Sequence, residues 1–105
     1  MTAEPVAFDK DNPPIMYGIG SKSCGAYLDA ADDPVESLAY TGFFSGYATY
    51  HGAMVGANVL KGTDFAGISH WLKNYCTANP TSHYLSAIVA LIGDMTNKYN
   101  GSKRK

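Results

Sequence analysis

Residues 84–99 read YLSAIVALIGDMTNKY, and this stretch decides the fold. Its large apolar side chains recur every three or four positions, which is the spacing of one face of an α-helix. The stripe consists of Tyr84, Leu85, Ile88, Leu91, Ile92, Met95 and Tyr99. Asn100 and Gly101 follow the stripe and are typical of a helix end. The stretch therefore predicts a long amphipathic helix that buries one face against other elements.

A second helical stretch lies just upstream. Thr63 or Asp64 can open it, and Asn79-Pro80 can end it and also start the next helix. Its apolar positions are Phe65, Ile68, Leu72, Tyr75 and Cys76, with Trp71 alongside. Their spacing predicts a helix that packs by this stripe.

A third helix is predicted from residue 34 onward. Asp33, Pro34 and Glu36 match the N-cap, the first position and the third position of a capping box. The predicted core stripe consists of Val35, Ala39, Phe43, Tyr47 and Tyr50, with Leu38 and Gly46 beside it. Because Phe44 falls off this stripe, we expect its side chain on the outer side of the helix.

Glycines in and after this helix suggest where the chain packs closely or turns. Gly42 and Gly46 lie four residues apart on one helix face, so we expect another helix to approach them closely within the core. Residues 51–63 contain three further glycines and are expected to form a loop with at most one irregular turn.

The chain divides into an arm, one domain and a tail. Residues 1–14 contain three prolines and no apolar periodicity, so we expect an extended arm. Residues 15–100 hold every helical stripe, including a short helix over about 24–31 that Ser23 can cap. Residues 101–105 form a basic tail. Together the stripes predict an all-α fold, a small single-domain bundle of about four helices.

Composition excludes several classes of protein. With 105 residues, 46% hydrophobic and 16% charged, the chain can form one core and is not of disordered composition. Half of its eight basic residues are Lys98, Lys103, Arg104 and Lys105, so the rest of the chain is mildly acidic. An acidic body lacks the basic face that nucleic acid requires. No long uninterrupted apolar run is present, so we expect no membrane span.

The two cysteines leave alternatives open. Cys24 and Cys76 are 52 positions apart, which fits neither a redox CxxC pair nor a zinc motif, and no histidine stands at a recognised spacing from them. Two buried free thiols in the cytosol and one structural disulfide both fit the residues. Residues 1–5 do not resemble a signal peptide, so the protein is either cytosolic or has lost an export signal.

Catalytic motifs are not found in the sequence. No nucleophile elbow, zinc-protease, P-loop or dinucleotide motif is present, so we expect no enzyme, no cofactor and no metal. A cysteine nucleophile paired with His70 or His83 would need a free, activated thiol. Asp32 and Asp33 are adjacent carboxylates, but Asp33 is already assigned to a helix cap.

Aromatic residues suggest a different kind of site. The chain has eight tyrosines, and three of them lie on the third predicted helix together with Phe43 and Phe44. Tyrosine suits protein interfaces because it combines an apolar ring with a polar tip. The alternative is that these rings line the core. We name Tyr40, Phe44, Tyr47 and Tyr50 as candidate partner-binding residues.

Several segments resemble a known group of proteins. They are Cys24-Gly25-Ala26-Tyr27-Leu28, the segment from Gly42 to Tyr47, the segment from Lys61 to Phe65, and the segment from Trp71 to Pro80. This pattern resembles small exported bacterial proteins related to the HdeA/HdeB acid-stress chaperones and to the Rap/Tai immunity proteins of type VI secretion. The resemblance implies a periplasmic or secreted all-helical protein, a Cys24–Cys76 disulfide and a removed signal peptide.

Three functions follow as hypotheses. The first is a non-enzymatic, periplasmic, HdeA-like holdase that binds unfolded clients in acid. The second is an immunity-type protein that neutralises a secreted effector or lytic enzyme through a specific complex. The third, a small hydrolase, rests only on the presence of Cys, His and Asp. Oligomeric state is left open, and a homodimer is one candidate.

Overall fold

The computed structural model describes residues 9–13 and 18–103, and it is helical. A short 3₁₀ helix, Gly18–Ser21, precedes four α-helices: α1 (Cys24–Ala30), α2 (Glu36–Val55), α3 (Phe65–Ala78) and α4 (Tyr84–Lys103). Within these described ranges the one extended pairing is an isolated bridge between Ser23 and His83. The prediction of an all-α domain of about four helices is confirmed. Most of the predicted arm over 1–14 lies outside the described residues, as do residues 104 and 105 of the predicted tail.

Helix α4 supplies the centre of the core. Its buried residues are Tyr84, Ala87, Ile88, Leu91 and Ile92, so the predicted stripe is largely confirmed. The expected end of the helix at Asn100-Gly101 is wrong, because α4 continues to Lys103. Gly101 is not among the glycines with a positive φ, so it does not adopt the left-handed conformation that terminates a helix. The first residues of the predicted tail are therefore helical.

A disulfide joins the first residue of α1 to the last turn of α3. Cys24 and Cys76 are bonded, with Cα atoms 4.8 Å apart, and both residues are fully buried. The predicted bond is therefore confirmed. It ties together two helices that both pack on α4.

The start of α1 is also bonded to the turn between α3 and α4. The amides of Cys24 and Gly25 donate to the carbonyls of Ser82 (2.7 Å) and Pro80 (3.0 Å). The Tyr84 amide donates to the Lys22 carbonyl at 2.8 Å. The prediction that Pro80 starts the last helix is wrong, because residues 79–83 instead form a turn that carries these bonds.

Helix α3 begins and ends where the sequence indicates. The Asp64 carboxylate accepts a hydrogen bond from the Gly67 amide at 2.8 Å, as an N-cap does. Ile68, Leu72 and Cys76 are buried as predicted. Phe65 is more than half exposed, so its assignment to the buried stripe is wrong.

The first turn of α2 is capped by Asp33. Its carboxylate accepts hydrogen bonds from the amides of Val35 (2.8 Å) and Glu36 (3.0 Å), which confirms Asp33 as a capping residue. The prediction that the helix begins at Pro34 is wrong, because α2 begins at Glu36. Only half of the capping box forms, because the Asp33 amide donates to the Ala30 carbonyl at 3.0 Å. The cap therefore consists of the Asp33 carboxylate alone, and this residue is exposed to solvent.

Helix α2 is longer than expected and buries a different face. It continues through residues 51–55, which were expected in a loop, and ends at Gly56 in a left-handed conformation with φ of 74°. Tyr40 and Phe44 are each 5% exposed, whereas Val35 of the predicted stripe is 76% exposed. The predicted stripe is wrong at Val35, Leu38 and Tyr50, whereas Phe43 and Tyr47 do pack against the core. Large apolar residues occur on more than one side of α2, so periodicity alone could not identify its buried face.

Gly42 and Gly46 face away from the described part of the core. A Cβ atom built on either glycine would meet nothing within 4 Å. The expected close helix contact at this pair is therefore wrong within the described chain. No described helix is both long and apolar enough to cross a membrane.

We predict that replacing both cysteines by alanine lowers the free energy of unfolding by about 4 kcal/mol, because the bond restricts a long loop in the unfolded chain. Urea unfolding at neutral pH measures the loss. Reduced wild-type protein is the control and should match the Cys24→Ala/Cys76→Ala variant. A loss below about 1 kcal/mol would show that the bond contributes little to stability.

Candidate functional site

Three tyrosines from three helices meet inside the protein. Tyr27 of α1, Tyr40 of α2 and Tyr84 of α4 have ring centroids 4.8 to 5.4 Å apart, and all three are buried. We call these three residues the tyrosine cluster. The Phe43 ring lies beside it, with its centroid 6.1 Å from that of Tyr84. These distances and the tilted or edge-on angles are those of favourable aromatic pairs.

One hydrogen bond within the cluster joins α4 to the backbone of α2. The Tyr84 hydroxyl donates to the Tyr40 carbonyl oxygen at 3.1 Å. Burial raises the pKa of Tyr84 well above its ordinary value, and the neighbouring Tyr27 and Tyr40 raise it further. The hydroxyl therefore remains a protonated donor throughout the physiological pH range.

The 3₁₀ helix provides a second attachment for α2. Gly20 is buried, and a Cβ atom at this position would lie 2.6 Å from Cζ of Phe43. The Phe43 ring therefore fills the space that a larger residue would occupy. Helix α2 packs mainly on this 3₁₀ helix and on α1, whereas α3 and α4 pack on each other and on α1.

The four predicted partner-binding residues do not share one surface. Tyr40 and Phe44 are buried, which corrects the expectation that Phe44 faces outward. Tyr47 is half-buried and stacks on His51, with ring centroids 6.5 Å apart, while Tyr50 is 66% exposed. Because Tyr40 and Phe44 are each 5% exposed, a partner would contact most of either side chain only after α2 moved away from the helices beside it.

Sequence reasoning did not group Tyr27 and Tyr84 with the α2 aromatics. It assigned Tyr84 to the apolar stripe of its own helix, and that assignment agrees with its burial. No signal within a single helix identifies the cluster, because its members come together only through the packing of three helices.

The structure offers little for the catalytic alternatives. Both cysteine sulfurs are in the disulfide, so neither thiol can act as a nucleophile in this state. His70 and His83 are exposed, and His70 Nε2 lies 3.1 Å from the amide nitrogen of Asn74. Among the described residues no group of three or more His, Cys, Asp or Glu side chains could hold a metal ion.

Among the described carboxylates, the pKa of Asp33 at the start of α2 departs clearly from its ordinary value. Hydrogen bonds from the amides of Glu36 and Val35 hold the pKa of Asp33 below its ordinary value. The described core contains no buried charged side chain. Within residues 9–13 and 18–103, acid therefore acts on this helix cap and on surface charge, with no buried ion pair to titrate.

We predict that Tyr84→Phe lowers the free energy of unfolding by about 1 kcal/mol, because it removes the bond to the Tyr40 carbonyl and keeps the ring. Tyr84→Ala should cost about 3 to 5 kcal/mol, because it also leaves a cavity. Tyr50→Phe removes an exposed hydroxyl from α2 and is the control, with a change below about 0.5 kcal/mol. Urea unfolding measures all three, and equal losses for the two Phe variants would contradict this role of Tyr84.

Comparison with known proteins identifies no relative of this chain. A scan against family models, a search of curated proteins and a search of solved structures each found no match.

Proposed function

We propose that this chain is a non-enzymatic protein-binding domain of the periplasm or another oxidising compartment, and that it protects unfolded client proteins in acid. The observation that carries the proposal is the attachment of α2. Its buried aromatic side chains, Tyr40 and Phe44, are held by non-covalent contacts, while a disulfide links α1 to α3.

The compartment is inferred from the disulfide. Structural disulfides persist in secreted and periplasmic proteins and are rare in the reducing cytosol. Cys24 and Cys76 are fully buried and bonded to each other, so both cysteines of the chain serve this structural bond. The resemblance to the HdeA-like group supports the same compartment.

Acid is expected to loosen α2 at its N-terminus. The pKa of Asp33 is lower in the folded chain than in the unfolded one, where it is about 3.9. The charged cap therefore stabilises the fold above that pH, and the stabilisation is lost as the pH falls through the folded pKa. Self-repulsion adds to the effect, because eight basic side chains, three histidines and the amino terminus carry about +12 in strong acid.

Detachment of α2 would expose a surface suited to unfolded proteins. It would uncover Tyr40 and Phe44 on α2, together with Tyr27 and Tyr84 on the remaining helices. The disulfide would limit further expansion by holding α1 to α3. The opened protein would therefore present aromatic surface without becoming a random chain.

We predict reversible binding of a hydrophobic dye, with protection of an aggregating test protein, when the oxidised chain is brought below about pH 3. Asp33→Asn is the informative variant, because asparagine caps a helix about as well as aspartate and does not titrate. It should open at a lower pH than wild type. Asp33→Ala, which has no cap at any pH, should open at a higher pH.

Identical opening curves for wild type and Asp33→Asn would exclude the cap as the acid-sensitive element. A fold that stays closed to pH 2, or that opens without protecting the test protein, would contradict the holdase proposal. A fold that stays closed, or one that opens without protecting the test protein, would favour the immunity-type alternative, a specific complex formed at neutral pH.

A further inference from the structure

Helix α2 and the residue before it expose several large apolar side chains. Seven large hydrophobic side chains are prominently exposed in the described part of the chain, and five of these lie on α2 or directly before it. They are Val35, Leu38, Tyr50, Met54 and Val55. At 100° per residue, Val35, Leu38 and Tyr50 lie on the side of the helix opposite Phe44, whereas Met54 and Val55 do not. Single exposed apolar residues are ordinary, but a concentration on one helix marks an interaction surface.

Small residues form the middle of this surface. At 100° per residue, Ala39, Gly42, Gly46, Thr49 and Ala53 fall on one line along α2, opposite the buried Phe44. Leu38 borders this line on one side and Tyr50 on the other. We call this line and its two borders the outer face of α2. Because nothing lies within 4 Å of a Cβ atom at Gly42 or Gly46, a second helix has room to approach the backbone there.

Charge on this face is absent. From Ser37 to Leu60 the chain contains no Lys, Arg, Asp or Glu. His51 is half-buried and stacks on Tyr47, away from the outer face. The face therefore lacks the charges that would select an acidic or a basic partner, and it matches an equally uncharged, apolar surface.

We propose that the outer face of α2 docks against the same face of a second copy of this chain, with the two helices antiparallel. The order of the residues is self-complementary about Gly46, as a two-fold interface requires. With the axis there, Tyr50 of each copy lies over Gly42 of the other. Leu38 of each copy similarly lies beside Ala53 of the other. Each large side chain meets a small one, and the two glycines at the axis permit close backbone contact.

The size of the face indicates a weak dimer. A helix of 20 residues is about 30 Å long. Two such faces bury on the order of 1,000 Å², which is the lower limit for specific interfaces. We therefore expect a Kd in the micromolar range. This dimer uses the side of α2 opposite to Tyr40 and Phe44, so it is independent of the proposed client protection.

The test is sedimentation equilibrium of the oxidised, full-length chain at pH 7, over about 1 µM to 1 mM. Gly46→Leu places a bulky side chain at the axis and should raise Kd at least about tenfold. Within the chain it meets open space, and leucine favours helix more than glycine does, so the fold should persist. Leu38→Lys should also raise Kd, because it places two charges in the interface.

Gly93→Leu is the matched control. Gly93 is an exposed helical glycine of α4 that also has open space around it, so this change should leave Kd unaltered. Circular dichroism and thermal unfolding verify that every variant is folded. A wild-type chain that is monomeric at 1 mM would overturn the proposal. So would a dimer that tolerates Gly46→Leu, or one that Gly93→Leu weakens equally, because its interface would lie elsewhere.

Discussion

The bond between Cys24 and Cys76 closes a loop that contains the whole of α2. It holds α1 against α3, and both helices pack on α4, which supplies the most deeply buried side chains. Backbone hydrogen bonds from the start of α1 to the turn before α4 reinforce this arrangement. A core this small benefits from a covalent link. The remaining helix, α2, packs on the unit that α1, α3 and α4 form.

Within the described part of the chain, α2 is attached by aromatic packing and by one side-chain hydrogen bond, from Tyr84. Its two sides therefore have different roles. The inner side, with Tyr40 and Phe44, completes the core and becomes a binding surface only on detachment. The outer side is apolar and exposed in the closed fold, where it is free to meet a second copy. Both proposals thus derive from one property, a helix that carries apolar residues on its inner and its outer side but is covered only on the inner one.

How well the sequence predicted the structure depended on the amphipathicity of each helix. The stripe of α4 was predictable because polar residues mark its outer side. The bounds of α3 were predictable because Asp64 and Asn79-Pro80 are local start and stop signals. Asp33 and Asp64 were predictable as caps because their chemistry is local. The buried side of α2 was not predictable, since large apolar residues occur on both its inner and its outer side. The disulfide was expected only through the resemblance, and the tyrosine cluster required the packing of three helices.

The central claim is that α2 is a separable helix on a disulfide-linked unit of α1, α3 and α4. Native-state hydrogen exchange of the oxidised protein, resolved by residue, tests it most directly, because it measures the opening free energy of each helix. The account predicts that the amides of α2 open together at a lower free energy than those of α3 and α4. Equal opening free energies in all the long helices would contradict it, because α2 would then unfold only with the whole domain.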